Sequence, residues 1–203
     1  MTDSLRPLIS ARRIKQRVAE LAGAISVDHR GAPLTLVIVL KGATVFAADL
    51  MRRITTPFVI DFVRASSYGK TARSSGAVAL SDEEKLDIAG HHVIVVEDIV
   101  DTGLTISALI AALDRLGPKS LDVCTLLHKH VASARPVTIR YKGFDIPDEF
   151  VVGYGMDYAE RYRNLPGIYR LTLGAQDRPP RQDRKAAELP QSPSPHAAAR
   201  APR

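Results

Sequence analysis

Two stretches of the chain are apolar at nearly every position and predict strands that are buried on both faces. The first covers residues 34–40 and the second covers residues 93–96. Continuous aliphatic runs of this kind are typical of central strands in a parallel sheet. Each run leads through a glycine-containing turn into helical apolar spacing, over about residues 44–53 and residues 104–116. This repeat of strand, turn and helix predicts an α/β fold with a twisted, mainly parallel sheet flanked by helices.

Weaker patterns predict the remaining elements of the sheet. Shorter apolar runs indicate further strands at residues 58–63, within 77–91, and at 121–127, 148–154 and 168–173. Near the start of the chain, apolar side chains recur at helical spacing over residues 8–25, with arginine and lysine between them. We interpret that segment as an amphipathic helix packed on the sheet, with a solvated basic face, rather than as a helix for nucleic acid or membranes.

The composition of the chain changes at residue 175. From there to residue 203 the sequence is rich in proline, alanine and arginine and has no apolar periodicity. We therefore predict one domain over residues 1–174 and a disordered tail over residues 175–203. The net charge of +6 suits a polyanionic substrate and is too diffuse to indicate nucleic acid by itself.

Several features point to the cytoplasm. No run of 18 apolar residues is present, so the sequence predicts no membrane span. The first residues lack the basic and apolar layout of a signal peptide. The single cysteine, Cys124, falls in an apolar strand pattern and is expected to be a structural thiol in a reducing compartment.

An acidic turn follows the second apolar run and carries the candidate chemistry. Glu97, Asp98 and Asp101 concentrate negative charge where Thr102 and Gly103 open the next helix. In open α/β sheets, ligands bind at this edge, and a helix amino terminus favours phosphate. Neighbours on a strand point to opposite faces, so Glu97 and Asp98 are not expected to form a carboxylate pair. A Mg²⁺ ion between carboxylates and substrate oxygens would offset the charge; the simpler alternative is a helix capped by an aspartate or threonine side chain.

The sequence of this turn resembles a known family. Residues 95–105, from Val95 through Glu97-Asp98 and Asp101-Thr102-Gly103 to Thr105, look like the phosphoribosyl-pyrophosphate signature of type I phosphoribosyltransferases. The nearest likeness is to the hypoxanthine (hypoxanthine-guanine) phosphoribosyltransferases. Three further motifs agree in order and spacing, at residues 40–43, 66–69 and 150–158, and the resemblance covers about residues 10–173.

The resemblance implies a fold and a reaction. The fold is the type I phosphoribosyltransferase fold, with a small hood formed by both ends of the domain over the carboxyl edge of the sheet. The reaction is purine salvage: Mg²⁺-dependent transfer of 5-phosphoribose from phosphoribosyl pyrophosphate to N9 of hypoxanthine or guanine, which gives IMP or GMP and pyrophosphate. A homodimer or homotetramer is also implied.

The resemblance also implies roles for individual residues. Asp101 is the general base or hydrogen-bond partner of purine N7, and Lys129 donates to the 6-oxygen. The implied ligand contacts, with these two residues included, fall into four groups: phosphoribosyl pyrophosphate at Lys41, Gly42, Glu97, Asp98, Asp101, Thr102, Gly103, Leu104 and Thr105; pyrophosphate at Arg163; the purine at Lys129, Phe150, Val151 and Asp157; and Mg²⁺ at Glu97, Asp98 and Asp157. Ser67 and Tyr68 are implied to belong to a flexible lid. The Leu40-Lys41 peptide bond of such a loop can be cis.

Three alternatives stay open at the level of sequence. A regulatory protein on the same scaffold would bind RNA or DNA, although it would need neither Asp101 nor a lid. A phosphoribosyltransferase for another oxopurine, such as xanthine, would share the same motifs. Transition-metal binding is suggested by the paired histidines His91-His92 and His128 with His130, but no cysteine or carboxylate completes a credible ligand set, so we predict no such site.

Overall fold

A computed structural model describes residues 4–67, 78–81, 86–131 and 136–174 of the chain. The elements follow in chain order as β1 (Ser4–Ile9), α1 (Ala11–Asp28), β2 (Leu34–Leu40), α2 (Thr44–Met51), β3 (Val59–Ser67), β4 (Val78–Ser81), β5 (His92–Val100), α3 (Leu104–Asp114), β6 (Ser120–Lys129), β7 (Tyr141–Ile146), β8 (Val151–Val152) and β9 (Ile168–Thr172). The predicted lid residue Tyr68 and the predicted tail at 175–203 lie outside these ranges.

The main sheet has six strands in the order β4-β3-β2-β5-β6-β7. Five of them are parallel, from β3 to β7, and β4 runs antiparallel at the edge. The two most apolar strands, β2 and β5, lie side by side at the centre, with Leu34 opposite His92 and Ile38 opposite Val96. The mainly parallel α/β sheet predicted from the sequence is confirmed.

The two faces of this sheet have separate cores. Ile94 and Val96 of β5 pack with α1 and α2, where Phe46 is fully buried. Val93 and Val95 point the other way and pack against α3. Because both faces are covered, β5 must be apolar at every position between them, and burial of each aliphatic side chain contributes roughly 1.5–3 kcal/mol. Two acidic residues, Glu97 and Asp98, interrupt the apolar strand near its carboxyl end.

A second sheet forms the predicted hood. Strands β1, β9 and β8 pair antiparallel, so the first and last described segments of the chain lie together. The register joins Ser4 to Thr172 and Val151 to Arg170. A register shift lies between Pro7 and Ile9. Proline has no N–H to donate, and it is tolerated in β1 because an edge strand pairs on one side only.

Two strands were not predicted from the sequence, and three others are longer than predicted. Strands β1 and β7 were missed, and the predictions ended β3 at Val63, β5 at Val96 and β6 at Leu127. Strand β7 contains Gly143, which reads as a turn signal; a Cβ there would lie 2.2 Å from the carbonyl oxygen of Leu126, so the glycine permits close contact between backbones. Within the described ranges, no helix combines the length and the apolar character that crossing a bilayer requires.

Candidate active site

The polar ends of β2, β5 and β6 meet at the carboxyl edge of the main sheet, where two cavities adjoin. The first has a volume of about 220 Å³ and lies over the turn between β5 and α3. The second, of about 240 Å³, lies between the end of β6 and the hood. Ile99 and Asp101 line both cavities. A ligand with two parts could therefore fill both cavities and cross from one to the other at Asp101.

The first cavity is a site suited to phosphate. Asp101, Thr102, Gly103 and Thr105 all line it. Gly103 begins α3 with φ of 76°, a left-handed conformation that favours glycine. No side chain from the described part of the chain caps this helix, so the alternative of an aspartate or threonine cap is wrong. The free N–H groups and the positive end of the helix dipole are available to an anion.

Glu97 and Asp98 form a coupled acidic pair beside this cavity. Burial raises the pKa of Glu97 well above its ordinary range, and the neighbouring Asp98 carboxylate raises it further. Burial also raises the pKa of Asp98, against the lowering effect of hydrogen bonds from Glu97 and from the Ile99 N–H at 2.9 Å. The expectation that Glu97 and Asp98 would not form a carboxylate pair is wrong, because their side chains share a hydrogen bond although they are neighbours on β5.

The pair fits a divalent cation. Glu97 Oε2 is buried and has no hydrogen-bond partner among the residues that the structure describes. A buried, unpartnered carboxylate oxygen next to a second carboxylate is the kind of hard oxygen donor that Mg²⁺ takes, with the remaining positions filled by water or substrate. Asp157, the third predicted ligand, lies in the second cavity and is held by Arg163 instead.

The loop after β2 packs directly on this acidic pair. A Cβ on Gly42 would lie 1.9 Å from Asp98 Oδ2, so glycine is required for the contact. On the other side of the loop, a Cβ on Gly155 would lie 2.2 Å from the carbonyl oxygen of Gly42. The Leu40-Lys41 peptide bond is cis, as the resemblance allows. Gly42 is thus enclosed between β5 and the hood.

Two predicted pyrophosphate contacts share one carboxylate. Lys41 Nζ donates to Glu160 Oε1 at 3.0 Å. Arg163 Nη2 lies 3.0 Å from the other Glu160 oxygen and 2.8 Å from Asp157 Oδ1, while its Nη1 donates to the carbonyl oxygen of Gly155 at 2.8 Å. The hydrogen bond from Lys41, followed by those from Arg163, lowers the pKa of Glu160. Glu160 therefore occupies the cationic groups that an anionic ligand would use.

The second cavity has the chemistry of a purine site. It is lined by Lys129, Phe150, Val151 and Asp157. Lys129 is nearly buried at the end of β6, and its Nζ donates to Asp101 Oδ2 at 2.9 Å. The ring of Phe150 is half exposed and meets the ring of Tyr158 edge to face, with centroids 5.6 Å apart. A flat ligand could stack on the free face of Phe150.

Most of the predicted site residues converge, and some of the contacts were not predicted. Leu104 begins α3 and does not line the first cavity, and Ser67 is the last residue of β3. Glu160 was not predicted from the sequence, and neither was Asp148, whose Oδ1 lies 3.8 Å from Lys129 Nζ. Both are charged residues in irregular segments, which give no periodic signal that could have identified them.

One prediction about histidines is corrected by the structure. A carboxylate does lie beside His128 and His130: Asp145 of β7, the strand that the sequence analysis missed, pairs directly with His128. His91 and His92 lie at the opposite end of β5, where they hydrogen-bond with Thr35 and Ser120.

The chain is similar to proteins of known function. A family model described as the phosphoribosyl transferase domain matches residues 8–159. The hypoxanthine-guanine phosphoribosyltransferase of Mycobacterium avium is 48% identical over 170 residues, which cover 81% of this chain and 84% of the relative. The hypoxanthine phosphoribosyltransferase of Escherichia coli K12 is 41% identical over 175 residues, which cover 85% of this chain and 98% of the relative. The crystal structure of a hypoxanthine-guanine phosphoribosyltransferase from Bacillus anthracis superposes with a TM-score of 0.77 at 43% identity, covering 84% of this chain and 99% of that one.

Proposed function

The chain belongs to the phosphoribosyltransferase family, and we propose that it transfers 5-phosphoribose from phosphoribosyl pyrophosphate to N9 of hypoxanthine or guanine. The products are IMP or GMP and pyrophosphate, and the role is purine salvage. The observation that carries the proposal is Asp101, which lines a phosphate-suited cavity and a purine-suited cavity at once. In this arrangement C1′ of the ribose and N9 of the base meet beside one carboxylate.

In the proposed complex, the first cavity holds the phosphoribosyl group. The free N–H groups and hydroxyls of Thr102, Gly103 and Thr105 bind the 5′-phosphate, because they converge at the amino terminus of α3. Glu97 and Asp98 bind the ribose hydroxyls. Lys41 and Arg163 bind the pyrophosphate after they leave Glu160.

In the second cavity, Lys129 selects the base. When a 6-oxopurine enters, the ammonium group turns from Asp101 to the 6-oxygen and donates to it. Adenine would place an amino donor against this donor, and the nearly buried lysine would lose its partner. Phe150 stacks on the ring, and the backbone of Val151 and the side chain of Asp157 lie near its edge.

The proposed reaction is a displacement at C1′. The bond from C1′ to the pyrophosphate oxygen breaks, its electron pair leaves with pyrophosphate, and the N9 lone pair forms the new bond. Asp101 accepts the proton or hydrogen bond of N7 as the ring gains positive charge. Mg²⁺, held by Glu97 and Asp98 with Asp157 nearby, would supply positive charge to offset the negative charge of the leaving pyrophosphate.

Three coarser properties complete the proposal. Cys124 is fully buried in β6 and burial raises the pKa of its thiol, so it is an inert structural group that fits a reducing cytoplasm. We also propose a homodimer or homotetramer, which light scattering on the purified protein would test. No nucleic acid or membrane partner is proposed.

The experiment that tests the function is a Mg²⁺-dependent assay with phosphoribosyl pyrophosphate and five bases: hypoxanthine, guanine, xanthine, adenine and uracil. Turnover with hypoxanthine or guanine, none with adenine, and loss of turnover on chelation of Mg²⁺ are expected. The same assay ranks hypoxanthine, guanine and xanthine. Binding of phosphoribosyl pyrophosphate without turnover of any base would contradict the proposal and favour a regulatory protein.

A further inference from the structure

Three side chains with metal-ligand chemistry meet on the main sheet, apart from the groups assigned to the reaction. His128 is the second-last residue of β6, His130 directly follows the strand, and Asp145 lies on β7. Each offers one ligand atom, and these atoms lie within 4.8 Å of one another. Lys129, between the two histidines in sequence, points instead to Asp101 in the purine cavity.

The backbone fixes the three residues relative to one another. His128 and Asp145 are direct neighbours across the β6–β7 ladder. His130 is also tied to β7, because its N–H donates to the carbonyl oxygen of Ile146 at 3.2 Å. The two imidazole rings meet edge to face with centroids 5.2 Å apart. The cluster therefore needs little ordering before a ligand binds, which lowers the entropic cost of binding.

The distances suit a tetrahedral ion. His128 Nδ1 and His130 Nε2 lie 3.0 Å and 3.1 Å from the same oxygen, Asp145 Oδ1. Two ligands bound to zinc at about 2.0–2.1 Å in tetrahedral geometry are about 3.3–3.4 Å apart. For these two pairs the required shift is a few tenths of an ångström, and the two imidazole nitrogens lie within 4.8 Å of each other. Side-chain rotation can bring them together around an ion, because His130 is 66% exposed.

We propose that His128, His130 and Asp145 form a binding site for a transition-metal ion of the zinc class, separate from the Mg²⁺ site. Two imidazole nitrogens and one carboxylate favour zinc over magnesium, which prefers oxygen ligands throughout. Three protein ligands leave the fourth position open to water or to an external ligand. The ion occupies the surface end of the β6–β7 ladder and uses none of the groups assigned to the reaction.

Lys142 sets the affinity of this site. Its Nζ lies 2.9 Å from both carboxylate oxygens of Asp145. A metal ion and the ammonium group therefore compete for one carboxylate. Removal of the ammonium group should strengthen metal binding, whereas removal of any ligand should weaken it.

The test is a titration of the full-length protein, free of any histidine tag, with Zn²⁺ in competition with a chromogenic chelator and in excess Mg²⁺. One equivalent of Zn²⁺ should bind. His130→Ala and Asp145→Asn should each weaken binding by at least about 10- to 100-fold, the range seen even for groups that only orient a ligand. Lys142→Gln should tighten binding several-fold. His91→Gln, a histidine at the other end of the sheet, is the matched control and should change nothing.

Visible absorption of the Co²⁺-loaded protein gives an independent result, since a tetrahedral site with nitrogen ligands has a spectrum that His130→Ala should remove. Equal Zn²⁺ affinity in the unchanged protein, His130→Ala and Asp145→Asn would overturn the proposal. Unchanged affinity in Lys142→Gln would overturn it as well. This last variant guards against misfolding, because loss of structure cannot tighten binding.

Discussion

At the scale of single residues, Asp101 connects the two parts of the site. It borders both cavities, and Lys129 holds its side chain at 2.9 Å. The ion pair orients the carboxylate before the base arrives. When Lys129 turns to the base, Asp101 is left with a free oxygen at the point where N7 enters, so the lysine and the aspartate change partners together.

Substitution of Asp101 separates chemistry from binding. Asp101→Asn should lower kcat by about 10²–10⁴-fold, the range for a positioned acid or base, because an amide cannot take the proton. Binding of phosphoribosyl pyrophosphate should change little, since the backbone amides of the loop remain. Steady-state kinetics and calorimetry measure the two effects.

The matched control is Asp148→Asn, which removes a carboxylate 3.8 Å from the same lysine but outside both cavities. It should leave kcat nearly unchanged. Equal losses of turnover and of phosphoribosyl pyrophosphate binding in Asp101→Asn would sink the assignment of Asp101 as general base.

Glu160 occupies the cations that the pyrophosphate would bind. Its two oxygens contact Lys41 and Arg163, each at 3.0 Å. Glu160→Gln should therefore tighten pyrophosphate binding and lower the KM for phosphoribosyl pyrophosphate, by up to about fivefold because the pairs are exposed and weak. Product inhibition by pyrophosphate is the measurement.

The control for Glu160 is Glu20→Gln, which removes an exposed ion pair with Arg17 on α1. No change in pyrophosphate inhibition is expected there. If Glu160→Gln binds pyrophosphate more weakly than the unchanged protein, Glu160 organises the two cations rather than competing for them.

At the scale of elements, the helices and strands with a regular apolar pattern were predicted from the sequence. Strands β2 and β5 are buried on both faces, so their apolar runs were unambiguous, and the glycine after β5 located α3. Strands β1 and β7 lie at edges, where one face is solvated and Pro7 or Gly143 imitates a turn.

The contacts of the site that were not predicted depend on strand pairing and on side-chain contacts that the apolar pattern does not show. Asp145 could not be identified as a neighbour of His128, because β7, the strand that places them side by side, was not predicted. The contact between Glu97 and Asp98 joins the side chains of neighbouring residues on one strand. Alternation along a strand predicts which face each side chain leaves from, but it does not predict that two neighbouring carboxyl groups meet near the strand's end.

A buried histidine, His29, directly follows α1 and makes the stability of the fold sensitive to acid. His29 Nε2 lies 3.1 Å from the hydroxyl of Tyr141, which donates to Asp28, so Nε2 carries the hydrogen. Nδ1 is buried and has no hydrogen-bond partner within the described ranges. Burial lowers the pKa of His29 below its ordinary value, and the neighbouring His92 and Arg140 lower it further.

The sign of the pH effect follows from this depressed pKa. Below about pH 6.5 the unfolded chain binds a proton at His29, whereas the folded chain does not. The free energy of unfolding therefore decreases as the pH falls, by at most about 1.4 kcal/mol per pH unit. His29→Gln retains a donor for Tyr141 and cannot titrate. Urea unfolding at pH 7.5 and 5.5 should show a smaller loss in this variant, and identical losses in the two proteins would contradict the role of His29.

At the scale of the whole molecule, the hood couples both ends of the domain to the purine site. Strand β9 lies between β1 and β8, and the Leu171 N–H donates to the carbonyl oxygen of Phe150 at 2.9 Å. The backbone of Phe150, whose ring would stack on the base, is therefore held by β9, a strand that begins at Ile168 and follows it in the chain. A change in β9 should affect the base more than the phosphoribosyl group.

Two variants test this organisation together. Leu171 is 5% exposed, so Leu171→Ala should destabilise the protein by about 2–5 kcal/mol and raise the KM for hypoxanthine more than the KM for phosphoribosyl pyrophosphate.

Deletion of residues 175–203, the predicted tail, should change neither the unfolding temperature nor kcat/KM, because its composition predicts no packed structure. Thermal unfolding and steady-state kinetics measure both variants. A loss of base affinity on deletion of the tail would make it part of the enzyme, and equal effects of Leu171→Ala on both KM values would separate the hood from base binding.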